Sequence, residues 1–239
     1  MKTTIIIILF VVIGGLSTAV YLSGSSAITE ISVLRDVTET HLSQPKASEI
    51  LSLFNLDQQS GKWNGGRFCF ANISDVSYTL SKETSIGTAN QWLSNEYDRA
   101  NEVKQFDASI TKILLDTKSD SVGKKHSSIY EPIANELNRL SHSKATRRIL
   151  LVYSDLMEND PNFSFYKEKT LNQLASNYDL SKKEFDKMMP LQNLNGIEVH
   201  LLYEPPDVVS DGRYKIVSAF YKKLLEEKGA TVTISANLL

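Results

Sequence analysis

The chain has 239 residues, of which 41% are hydrophobic and 23% charged, and this composition excludes a disordered or fibrous protein. Its 26 lysines and arginines are balanced by 28 aspartates and glutamates, so the net charge is -2 and no basic excess points to a nucleic-acid partner. Cys69 is the single cysteine, which excludes an internal disulfide and a cysteine-based zinc cluster.

An uncharged apolar segment occupies residues 4–22 and is long enough to cross a bilayer as a helix. Lys2 is the only charged side chain before it, and the next positive residue is Arg35. We therefore expect a single-pass membrane protein whose following domain faces the periplasm or the cell exterior. Residues 25–27 also resemble a signal-peptidase site, so secretion after cleavage near Ala27 is the alternative. Either way, residues 1–27 are an anchor or signal segment and residues 28–239 form the domain.

Strand and helix patterns alternate along residues 28–239. In chain order we predict strand 31–34, helix 47–54, strands 65–73 and 76–80, helices 89–117 and 129–140, strand 149–153, helices 165–178 and 181–189, strand 197–203, helix 208–228 and strand 230–234. Ser181 is the expected N-cap of its helix. Residues 149–153 are apolar throughout, as in a central parallel strand covered on both faces, whereas residues 76–80 are expected at an antiparallel edge. We predict one α/β domain with three layers: a doubly wound, mostly parallel six-stranded sheet with helices on both faces.

Oxygen-bearing side chains cluster after the strands of this predicted sheet. Asp36, Thr38 and Thr40 follow the first strand, Asp155 follows the strand at 149–153, and Ser127 precedes the helix at 129–140. Ligands of open α/β sheets bind beyond the carboxyl ends of the strands, so these side chains are expected at one edge. Carboxylates and hydroxyls without a soft ligand suit Mg²⁺, with Mn²⁺ or Ca²⁺ also possible. Glu158, farther along the same loop, is expected to be a surface charge.

The Asp-x-Thr-x-Thr spacing at residues 36–40, together with Asp155, resembles the metal-ion-dependent adhesion site of von Willebrand factor A-like (vWA) domains. The resemblance implies a vWA fold and a ligand set of Asp36, Thr38, Thr40, Ser127 and Asp155, with Ser128 as the alternative to Ser127. The family more often has a threonine at that middle position. The resemblance also implies that an acidic residue of a partner protein completes the coordination of the ion. In a membrane-anchored chain this suggests a protein of the bacterial cell envelope.

Three functions from different classes follow from this reading. The first is an extracytoplasmic protein-binding module that is not an enzyme and uses the divalent ion for adhesion. The second is a metal-free, degenerate vWA scaffold for envelope assembly, which the serine at position 127 favours. The third is a Mg²⁺-dependent hydrolase. Against the hydrolase, residues 36–38 lack the second aspartate of haloacid-dehalogenase phosphatases, and the chain has neither a Walker-type nor a dinucleotide-binding glycine motif.

Overall fold

The computed structural model describes residues 27–38, 44–73, 82–116, 128–159 and 164–238. Six strands in these residues form a single sheet: β1 Ile28–Asp36, β2 Gly65–Ile73, β3 Lys82–Ile86, β4 Arg147–Tyr153, β5 Ile197–Leu202 and β6 Thr231–Ser235. Their order is β3-β2-β1-β4-β5-β6, and all neighbours are parallel except β3, which pairs with β2 in the antiparallel sense. The predicted six-stranded, mostly parallel sheet is confirmed.

Helices cover both faces of this sheet. The described residues contain α1 Ala47–Phe54, α2 Glu96–Asp116, α3 Tyr130–Ser141, α4 Glu168–Ser176, α5 Tyr178–Met188 and α6 Val208–Glu226. The first two helices pack on one face and the other four on the opposite face. Side chains of β4 alternate between these two cores, with Leu151 toward α1 and α2 and Leu150 and Val152 toward α3–α6. Because both faces are covered, every residue of the predicted central strand is apolar and buried.

The antiparallel edge strand among the described residues is one that the sequence did not predict. The strand predicted at residues 76–80 lies outside the described residues, and the described edge strand is Lys82–Ile86. Its sequence, Lys-Glu-Thr-Ser-Ile, has one apolar residue and is mostly exposed, so no hydrophobic pattern marks it. Pairing with β2, where Phe68 faces Thr84 and Phe70 faces Lys82, defines this strand instead.

The predicted N-cap of α5 is wrong. The helix begins at Tyr178, and the side chain of Asn177 accepts the N–H of Leu180 at 3.1 Å. Ser181 is fully buried within the helix and donates its hydroxyl to the carbonyl of Asn177 at 3.2 Å. Asparagine and serine are equally good N-caps. Asn177 takes this role here, because Ser181 is buried inside the helix.

None of the helices formed by the described residues is long and apolar enough to cross a membrane. The predicted span at residues 4–22 lies outside those residues.

A buried arginine in the first turn of α2 connects two loops to the helix. Arg99 is only 2% exposed. Its Nε donates to the carbonyl of Lys62 at 2.8 Å, its Nη1 to the carbonyl of Gly87 at 3.0 Å, and its Nη2 to the carbonyl of Asn64. Glu102 pairs with Nη1 at 2.9 Å. A buried guanidinium is tolerated only when its donors are satisfied, and here three loop carbonyls satisfy them.

We expect Arg99→Met to lower the free energy of unfolding by about 3 kcal/mol, because it strips three partly buried loop carbonyls of their donors. Urea unfolding of the full chain measures the change. Lys104→Met is the matched control, since it removes an exposed charge from the same helix and should cost less than about 0.5 kcal/mol. Equal losses in the two variants would show that Arg99 does not hold the loops.

Candidate functional site

The predicted acidic residues lie where the order of the strands reverses. From β1 the chain proceeds outward to β2 and β3, and then returns to β4 on the other side of β1. Ligands of doubly wound sheets bind in the crevice at this switch point, beyond the carboxyl ends of the strands. Asp36 is the last residue of β1, and Ser154 and Asp155 directly follow β4. The structure therefore places both predicted carboxylates at the switch point.

The carboxylate of Asp36 joins the segments that follow the two central strands. It is 2% exposed. Its Oδ1 accepts the backbone N–H of Thr38 at 2.8 Å and the Thr38 hydroxyl at 2.6 Å, and its Oδ2 accepts the hydroxyl of Ser154 at 3.1 Å. Ser154 is a site residue that sequence reasoning missed. The only indication in the sequence was the position of Ser154 between a buried strand and Asp155.

Asp155 lies in a tight turn that the same serine stabilises. Its Oδ1 accepts the N–H of Met157 at 2.9 Å, and the Ser154 hydroxyl accepts the N–H of Leu156 at 2.9 Å. Leu156 has a φ of 61°, a left-handed conformation that is costly for a residue with a branched side chain. Such strain persists only where the surroundings impose it, and it is concentrated at functional sites.

Glu158 is not a surface charge, and that expectation is wrong. The side chain is fully buried, and its Oε2 accepts the N–H of Ile129 at 3.0 Å and of Tyr130 at 2.8 Å. A carboxylate at a helix N-terminus satisfies unpaired N–H groups and interacts favourably with the helix dipole. Glu158 therefore holds the start of α3 against the loop that carries Asp155. No local pattern indicates this role, because its partners lie 28 and 29 residues away in the chain.

Three of the five predicted ligands lie within the described residues. These are Asp36, Thr38 and Asp155, whereas Thr40 and Ser127 lie outside them. Nowhere in the described ranges do three or more histidine, cysteine, aspartate or glutamate side chains come close enough to hold a metal ion. A cation at this edge would therefore depend on two carboxylates supplemented by hydroxyls and water.

Two hydroxyls at this edge could supply further oxygen ligands to such a cation. The hydroxyls of Thr38 and Ser154 both direct their protons to the Asp36 carboxylate. A hydroxyl that donates to a carboxylate still has two lone pairs for other contacts, and in Ser154 one of them already accepts the N–H of Leu156. Hard oxygen donors of this kind are the ligands that Mg²⁺ and Ca²⁺ prefer.

A small cavity of about 100 Å³ opens beside Asp155. Arg213 and Tyr214 from α6 and Tyr203, the residue after β5, contribute to its wall. The Tyr214 hydroxyl is buried and has no hydrogen-bond partner among the described residues. Burial, and then the negative charge of Asp155, raises the pKa of Tyr214, so its hydroxyl stays protonated and can only gain by donating to an acceptor.

Large apolar side chains surround this acidic edge. Val208 and Val209, in the first turn of α6, are 86% and 66% exposed, and Tyr166, which lines the cavity, is 49% exposed. Exposed apolar groups around a polar centre are typical of surfaces that contact other proteins.

Comparisons with known proteins do not show a family. No protein-family model matches the chain, and no curated protein matches its sequence. Among solved structures, a point mutant of the PilB minor pilin from Streptococcus sanguinis is similar with 11% identity and a TM-score of 0.43, over 90% of this chain and 59% of the pilin. The VWA domain of SpRpn10 is similar with 11% identity and a TM-score of 0.28, over 88% of this chain and 90% of that domain. This chain thus spans only part of the pilin's length, and at these TM-scores neither likeness carries an argument.

We expect Glu158→Ala to lower the free energy of unfolding by about 2–3 kcal/mol, because two N–H groups at the start of α3 lose their buried acceptor. Glu158→Gln should cost less, since the amide oxygen can still accept. Urea unfolding and hydrogen exchange of the first α3 amides measure both changes. Glu131→Ala is the control, because Glu131 is an exposed acid in the same helical turn. Unchanged protection of the Ile129 and Tyr130 amides in Glu158→Ala would contradict this role.

Proposed function

We propose that the domain binds a partner protein at the carboxyl edge of its sheet, through one divalent cation bound near Asp36 and Asp155. Mg²⁺ is the preferred ion, and Mn²⁺ or Ca²⁺ would fit the same oxygens. The observation that carries the proposal is the cluster of Asp36, Thr38 and Ser154, joined by hydrogen bonds at the switch point. Thr40 and Ser127 remain proposed ligands on the strength of the vWA-like motif.

The residues that line the cavity beside Asp155 favour a partner that contributes an acidic group to the site. A carboxylate that reached the cation would enter a space walled by Arg213 and Tyr214. Arg213 supplies a positive charge, and the Tyr214 hydroxyl, which has no partner among the described residues, supplies a donor. The exposed side chains of Val208, Val209 and Tyr166 would then pack against apolar residues around the acid.

We also propose that residues 4–22 anchor the domain in a cell membrane, with the domain outside the cytoplasm. The uncharged run and the single preceding Lys2 support this topology. Secretion after cleavage near Ala27 is the competing outcome. The mass of the chain recovered from the cells that express it distinguishes them, because only the secreted form lacks the segment before the cleavage position.

The test of the metal site is a calorimetric titration of the full chain with Mg²⁺. We expect Asp36→Asn to weaken binding by roughly tenfold or more, because the variant loses a charge while it keeps the volume of the side chain. Asp211→Asn is the matched control, since Asp211 lies near the same edge and pairs with Lys215 rather than with the cluster. If the parent chain binds no Mg²⁺, or if both variants bind it equally well, the metal-free scaffold replaces the adhesion site.

The proposed acidic partner has its own test with acetate as the probe. Acetate bound beside Mn²⁺ in the full chain should show enhanced proton relaxation. We expect Tyr214→Phe and Arg213→Gln to weaken acetate binding while Mn²⁺ affinity is unchanged. Tyr221→Phe is the control, because it removes from the same helix another buried hydroxyl without a partner among the described residues, and Tyr221 does not line the cavity. An equal effect of Tyr221→Phe would mean that the cavity does not select a carboxylate.

A further inference from the structure

Three large apolar side chains stand exposed where the chain enters α2. Trp92 is 73% exposed, Leu93 86% and Tyr97 73%. We refer to these three residues as the aromatic patch. Single exposed apolar residues are common, but three within six positions require an explanation, since isolated large apolar groups cost free energy in water.

The aromatic patch lies at the same end of the sheet as Ala27, the first described residue. The N–H of Ala27 donates to Oδ1 of Asn64 at 3.0 Å, and its carbonyl accepts the N–H of Gly65 at 2.9 Å. The guanidinium of Arg99 donates to the carbonyl of Asn64, and the backbone N–H of Arg99 donates to the carbonyl of Asn95 at 3.0 Å. Asn95 lies between Leu93 and Tyr97 in the sequence, so a short chain of hydrogen bonds connects Ala27 with the patch.

The distance from the proposed anchor to this end of the sheet is limited by chain length. Residues 23–26 alone separate the apolar segment at 4–22 from Ala27. Four residues extend by at most about 14 Å. If residues 4–22 cross a bilayer, the end of the sheet with the aromatic patch therefore lies close to the surface of that bilayer.

We propose that the aromatic patch inserts into the membrane–water interface; this inference rests on the membrane anchor of the proposed function. Tryptophan and tyrosine are the residues enriched at that interface, because their rings are apolar and carry one polar group. Among the described residues beside the patch, Glu96 pairs with Lys62 at 3.5 Å and Asp98 is exposed, so these charges give no basic excess. The contact is therefore apolar, and a zwitterionic lipid surface is sufficient for it.

This contact would fix the orientation of the domain. β1 starts beside the membrane at Ile28 and ends at Asp36, and nine residues of strand extend by about 30 Å. The carboxyl edge of the sheet would then face away from the bilayer. A partner would meet the candidate metal site from the solvent side.

The experiment compares two single-tryptophan forms of the full chain in phosphatidylcholine vesicles. The chain contains two tryptophans, so Trp63→Phe leaves Trp92 as the only one. The matched control combines Trp63→Phe, Trp92→Phe and Val208→Trp, which moves the fluorophore to an exposed position at the opposite edge. Both are measured in vesicles with and without brominated acyl chains, which quench only tryptophans that contact them.

We expect the Trp92 emission to shift to shorter wavelength and to be quenched by the brominated lipid, whereas the tryptophan at position 208 is not. The inference is overturned if the chain floats with the vesicles but Trp92 is not quenched. It is equally overturned if both positions are quenched alike, because the domain would then lie on its side. If the chain does not float, the proposed anchor fails and this inference fails with it, while the Mg²⁺ titration still tests the metal site independently.

Discussion

The parallel pairing of β1 with β4 is the constraint on which the candidate site depends. Ile31 faces Ile149 and Val33 faces Leu151 on one side of the sheet, and Leu34 faces Val152 on the other. Both faces are buried, so a shift in register would expose one apolar set to water. Because the strands run in the same direction, their carboxyl ends meet at one edge. Asp36 and Ser154 thus bond to each other across 118 residues of sequence.

Buried carboxylates fasten α3 to that central pair of strands at both of its ends. Glu158 accepts two N–H groups at the start of the helix. Near its end, Arg139 bonds to Glu30 of β1 at 2.7 Å and to Glu136 at 2.7 Å, and both glutamates are almost completely buried. Breaking such an ion cluster leaves an uncompensated buried charge, so the cluster disfavours other placements of the helix. The helix start is thereby held beside the candidate site.

The two ends of the sheet differ in chemistry. The carboxyl end carries Asp36, Asp155 and strained backbone at Leu156, whereas the amino end carries the exposed aromatic patch beside Ala27. The proposed membrane contact at one end and the proposed partner at the other both require this division. Arg99 stabilises the amino end, because its buried guanidinium donates to carbonyls of the loops located there.

The sequence by itself determined the layers of this protein and the position of its two central acids. Long apolar and periodic segments predict their elements because burial on one or two faces leaves a local signature, as in β4, α1 and β2, and the strand ends then locate Asp36 and Asp155. Only the tertiary structure decided the edge strand Lys82–Ile86, the N-cap at Asn177 and the roles of Ser154 and Glu158. The physical reason is that the role of a polar side chain depends on its hydrogen-bond partner. For Ser154 and Glu158 that partner comes from a distant part of the chain.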